Sequence, residues 1–147
     1  MKNNKAFTLL ELIVVIAIVG LLITISIAFL SDAKQRGTDT GRISAVNQVK
    51  NALNIYFNDA NGGNGFYPIG TGTTTLTSSL VPKYITSINP NIKYDSATGA
   101  TYHLGIALLG SDNKVLSSDR DNATGFQGSS VDCGSTLGTD LCYDVTP

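Results

Sequence analysis

Residues 7–30, FTLLELIVVIAIVGLLITISIAFL, make a run of 24 in which Glu11 is the sole charged side chain. Coiled as a helix at ~1.5 Å per residue the run is roughly 36 Å long, and a hydrocarbon core is about 30 Å thick. It can span a membrane. The polar leader Met1 to Ala6 carries Lys2 and Lys5, which predicts a cytoplasmic N-terminus. A charge at the centre of a span costs roughly 2.5–3.5 kcal/mol even on the mildest scale. Glu11 lies four residues in from Phe7, near the interface, so its cost is smaller, but it still needs a partner. A secretory signal also has a basic start, with cleavage here after Ala28 or Ala33, but its apolar region is shorter, about 7–15 residues. A plain unprocessed anchor would ask for neither Phe at the junction nor Glu at that offset.

Past Leu30 the chain turns polar and then takes up a helical stripe. Ile43, Val46, Val49, Leu53 and Phe57 recur at three and four residues, one face of an amphipathic helix. Asn61-Gly62-Gly63 is a stop signal. The pattern predicts one helix over about 7–60, bare in its first half and packed by its second. Gly20, Gly37 and Gly41 are either soft points or sites of tolerance and close packing. Residues 61–91, rich in Gly, Thr and Ser, read as a connecting loop. Ile92–Asp95 and Thr101–Leu109 around the Ser96-Ala97-Thr98-Gly99 turn predict a hairpin. Tyr102, Leu104, Ile106 and Leu108 share one face, which puts His103 on the outer one. Lys114-Val115-Leu116 and Leu141–Val145 are further strand candidates. The expected class is α+β, a long helix against a small antiparallel sheet.

Lys2 to Leu22 resembles the N-terminus of class III prepilins, the precursors of type IV pilins and of type II secretion pseudopilins. A basic leader, then Phe7-Thr8-Leu9-Leu10-Glu11, then an unbroken apolar run carry the resemblance. Phe66-Tyr67-Pro68 and Leu80-Val81-Pro82-Lys83-Tyr84-Ile85 are similar to the segment after the long helix in pseudopilins and short pilins. The resemblance implies a pilin fold with a leader (1–6), a membrane and filament-core helix (7–30), an amphipathic second half (31–60) and a globular head (61–147). It also implies cleavage between Ala6 and Phe7 by a prepilin peptidase, then N-methylation of Phe7. Here Ala6 stands where that family normally has Gly, so processing is expected to be slower or altered. The implied product is a helical homo-oligomer, a surface pilus or a periplasmic pseudopilus. An inner-membrane platform and an assembly ATPase would build it, and Glu11 would neutralise the Phe7 amine of the next subunit. Many members have a mid-helix proline, where this chain has Ala28. The rival from another class is a secreted or membrane-tethered adhesin module.

Formal net charge is −1, and loss of Lys2 and Lys5 would make it more acidic. No basic face for nucleic acid stands out. Cys133 and Cys142 are expected to form one disulfide in a chain that enters a membrane, the alternative being two buried thiols. With one histidine and no GxSxG, P-loop or HExxH pattern, catalysis finds no support. Asp119, Asp121, Asn122 and Asp132 are oxygen donors suited to a hard cation, and some major pseudopilins bind calcium in a comparable loop. Structural calcium there is weighed against a solvated turn. No other cofactor is expected. Asn122-Ala123-Thr124 is formally a glycosylation sequon.

Overall fold

The computed structural model describes residues 8–121, 125–134 and 139–147. Helix α1 runs over Leu9–Asn58 without a break, close to the range that the apolar periodicity predicts. It passes through Gly20, Gly37 and Gly41, and a Cβ at any of the three would meet nothing within 4 Å. Within the chain these glycines are tolerated rather than required. The chain divides into two compact units, Met1–Gln35 and Arg36–Pro147.

In the second unit, a four-stranded antiparallel sheet has the order β1 (Gly70–Thr71), β2 (Lys93–Ser96), β3 (His103–Ala107), β4 (Cys142–Val145). The expected hairpin is β2–β3, with Tyr94 opposite Leu104. The last strand candidate is β4, with Gly105 opposite Asp144 and Ala107 opposite Cys142. Val46, Val49 and Leu53 of α1 are buried with Ile92, Tyr94, Tyr102, Leu104, Ile106 and Leu108. The helical stripe and the period-two strand face therefore meet in one core. At about 25 cal/mol per Å² of apolar area, this burial is the main source of the head's stability.

Three features differ from the sequence expectation. The Thr/Ser-rich stretch contains a second helix, α2 (Gly72–Leu80). Its residues are poor helix formers, but Leu76 and Leu80, four apart, are fully buried, so packing overrides propensity. Lys114–Ser117 is a 3-10 turn instead of a strand, and the Asn113 side chain accepts from the Val115 N–H at its start. His103 is not on a solvated outer face. It is 2% exposed, because residues 125–134 cover that side of β3 and the Phe126 ring lies flat on the imidazole, centroids 3.6 Å apart. Gly105, two residues along the same face, makes room: a Cβ there would meet the Phe126 ring at 2.9 Å.

Polar contacts fasten the helix to the sheet's loops. The buried Asp39 carboxylate accepts from Leu109 N–H (2.7 Å) and Gly110 N–H (3.0 Å). One helical turn on, Arg42 donates to the Ala107 carbonyl at 2.5 Å. Past the end of α1, Asp59 accepts from Lys83 Nζ and Tyr84 Oη, both at 2.7 Å. The Lys83 ammonium and the Tyr84 hydroxyl hold the Asp59 carboxyl well below the usual carboxylate range.

Candidate functional site

Two regions carry the sequence-predicted site residues. At the N-terminal one, Ala6 and Phe7 lie outside the described residues. Thr8 precedes the first residue of α1, and Glu11 falls in the first turn. Thr8 N–H and Thr8 Oγ1 both donate to Glu11 Oε2 at 2.9 Å, and Glu11 N–H donates to Thr8 Oγ1 at 3.3 Å. This is a reciprocal capping box, in which two otherwise orphaned helix donors are satisfied. Glu11 thus has a partner within its own chain.

Beyond Glu11 the apolar side chains have nothing over them. Leu9, Ile16 and Leu30 are 75%, 62% and 71% exposed. An 18-residue window of α1 has a mean hydropathy of 3.1, with none of it buried. Thr24 and Ser26 donate their hydroxyls to the Leu21 and Leu22 carbonyls, so the polar groups of this stretch are satisfied inside the helix, as a lipid-embedded segment requires. A bare apolar surface of this size marks contact with lipid or with other protein.

At the C-terminal region, Asp119 and Asp121 come together with Asp144 of β4. One potential ligand atom from each lies within 4.8 Å of the others. Backbone hydrogen bonds build the arrangement. Asp144 N–H donates to Asp119 Oδ2 (3.3 Å) and Asp121 N–H to Asp144 Oδ1 (3.0 Å). The other oxygen of Asp144 pairs with His103 Nε2, and both of those side chains are almost fully buried. Asp119 Oδ1 is buried with no hydrogen-bond partner. Burial, aided by Asp144, Asp121 and Asp140, pushes the Asp119 carboxyl up to about 7. Near neutral pH the metal-free folded chain therefore holds a proton there that the unfolded chain has already lost, and ionisation at higher pH works against the fold.

Of the sequence-predicted cation ligands, the structure gathers Asp119 and Asp121. Asn122 lies outside the described residues, and Asp132 is not among the gathered group, its Oδ1 accepting from Gly134 N–H at 2.9 Å. Asp144 was missed because it lies 23 residues beyond Asp121 on a strand. The available signal was an aspartate in the last strand's alternating pattern that faces the same side as His103. Cys133 and Cys142 form the expected disulfide, Cα atoms 5.0 Å apart, and Cys142 is two residues from Asp144.

Comparison with known proteins bears on both regions. Residues 1–27 match the family described as the prokaryotic N-terminal methylation motif. Over 85 residues, 58% of its length, the chain is 29% identical to fimbrial protein EcpC of Eikenella corrodens. The match spans 53% of that relative, about half. No solved structure matches the chain.

Proposed function

We infer that this chain, which carries the prokaryotic N-terminal methylation motif and is of the type IV pilin or pseudopilin kind, is a subunit polymerised through its N-terminal helix. Motif and relative point to a structural protein rather than an enzyme. In the proposed sequence the precursor inserts with Lys2 and Lys5 on the cytoplasmic side. A prepilin peptidase then cuts between Ala6 and Phe7, the Phe7 amine is methylated, and an inner-membrane platform with its ATPase draws the subunit into a filament. The alternative destination is a periplasmic pseudopilus.

The carrying observation is the bare apolar surface of 9–30 with one carboxylate at its start. Lipid and a bundle of like helices are similarly apolar surroundings, so burial alone does not choose between them. Close packing and charge pairing do. Glu11 facing the Phe7 amine of a neighbouring subunit would supply a charge-assisted contact in a dry setting, and removing one member of such a pair costs about 3–5 kcal/mol. The capping box sets the opposing side of the balance, since Glu11 must leave or share its bonds to Thr8 to reach another chain. Shearing cells that express the chain and immunoblotting the released fibres tests the reading. The chain is expected in pelletable fibres; confinement to the membrane fraction under conditions of assembly would contradict it.

The carboxylate cluster fits a hard divalent cation of calcium's kind. Oxygens within 4.8 Å of one another suit a common centre at about 2.3–2.6 Å, and the unpartnered Asp119 Oδ1 would gain a counter-charge. Asp119, Asp121 and Asp144 are the proposed ligands. When bound, calcium would supply charge neutralisation and order, not chemistry.

A further inference from the structure

We propose that cation binding at Asp119, Asp121 and Asp144 locks strand β4 onto the head, so that the ion and the Cys133–Cys142 disulfide reinforce one another. The proposal rests on the cation reading above, and adds a role for the residues this chain uses. An ion held by the 117–132 loop alone would order that loop. Here one ligand comes from β4 instead, so releasing β4 takes a ligand away.

The fastenings of β4 on this side converge on two residues. Asp144 is fully buried: its N–H reaches Asp119 Oδ2, its Oδ1 receives Asp121 N–H, and its remaining oxygen pairs with His103. Its carbonyl also receives Arg120 N–H at 3.4 Å. Cys142, two residues earlier, is tied covalently to Cys133, and its N–H donates to Asp140 Oδ1 at 3.0 Å. Asp140 in turn adds negative charge beside Asp119 and Asp121. Without an ion, four carboxylates crowd this end of the strand with His103 against one of them. That repulsion pushes β4 away, and the disulfide resists it. A cation turns the same four charges into a reason for β4 to stay.

The linkage has a definite sign. Any opening that detaches β4 must release the ion, so such openings are suppressed by the factor 1 + [L]/Kd, about a hundredfold when free calcium is one hundred times Kd. The experiment uses the full-length chain in detergent. Calcium binding is measured by titration calorimetry. Two rates are then compared with calcium and with chelator: reduction of the disulfide by dithiothreitol, and hydrogen exchange at Cys142, Tyr143, Asp144 and Val145. Both are expected to slow by tenfold or more with calcium, and Asp121→Asn, at an exposed position, is expected to lose that slowing while folding normally. Calcium that binds but protects only the 117–132 loop, leaving β4 exchange and disulfide reduction unchanged, overturns the latch and leaves the cation reading standing. No calcium binding by the unaltered chain overturns both.

Discussion

Glu11→Gln is expected to leave the first turn of α1 intact and to reduce filament yield at least tenfold. Glutamine completes a capping box as glutamate does, so the bonds from Thr8 N–H and Thr8 Oγ1 survive the change. What glutamine cannot do is neutralise a free amine. The substitution therefore separates the two roles open to this carboxylate: a local helix cap, which the fold displays, and an interchain ion pair, which the proposed polymer needs. Loss of one member of a dry pair costs about 3–5 kcal/mol, and 1.4 kcal/mol is tenfold in an equilibrium, so each added subunit feels the loss. Glu11→Leu removes both roles and is expected to be at least as severe. The measurement is the amount of chain in sheared fibres relative to the total. Unaltered yield for Glu11→Gln would reduce Glu11 to a helix cap and remove the interchain pair from the account.

The second large effect is on the head's stability. Replacing Cys133 and Cys142 together with serine opens a ten-residue loop, which the chain-entropy relation values at about 2.7 kcal/mol. The location adds to the expectation. The disulfide holds β4 from the side opposite its partner β3, where Leu141 N–H also reaches Ser130 C=O at 3.1 Å, and both sulfurs are buried. For a head of this size the loss lowers the unfolding midpoint by roughly 10 °C. Near-ultraviolet circular dichroism of the full-length chain in detergent, dominated by its tyrosines, follows the transition. An unchanged midpoint would show that β4 is held without the crosslink.

Those parts of the fold were legible in sequence where a strong period met a strong composition. The 7–30 run, the Val46, Val49, Leu53 stripe and the β2–β3 hairpin are of this kind, and each lies close to where the pattern puts it. Helix α2 was hidden because threonine and serine argue against helix, and two buried leucines four apart are too few to outvote them. His103 was placed outward because alternation describes one strand and not what covers it. Its burial depends on Phe126, some twenty residues away, and the one local sign was Gly105, a glycine inside a strand that marks close approach. Asp39 was unreadable for a similar reason: among Lys34, Arg36 and Arg42 it looks like one more solvated charge, yet it caps the 107–110 turn. The cation cluster was half legible, since Asp119 and Asp121 are neighbours in sequence but Asp144 joins them only through sheet pairing.

The N-terminal residue of the mature chain tests the central claim most directly. Edman sequencing and intact mass of protein recovered from sheared fibres should give a chain that begins at Phe7 and carries one methyl group on its amine. A mature protein that keeps Met1, or one that begins after Ala28 or Ala33 and so lacks the apolar run, would contradict assembly through that helix.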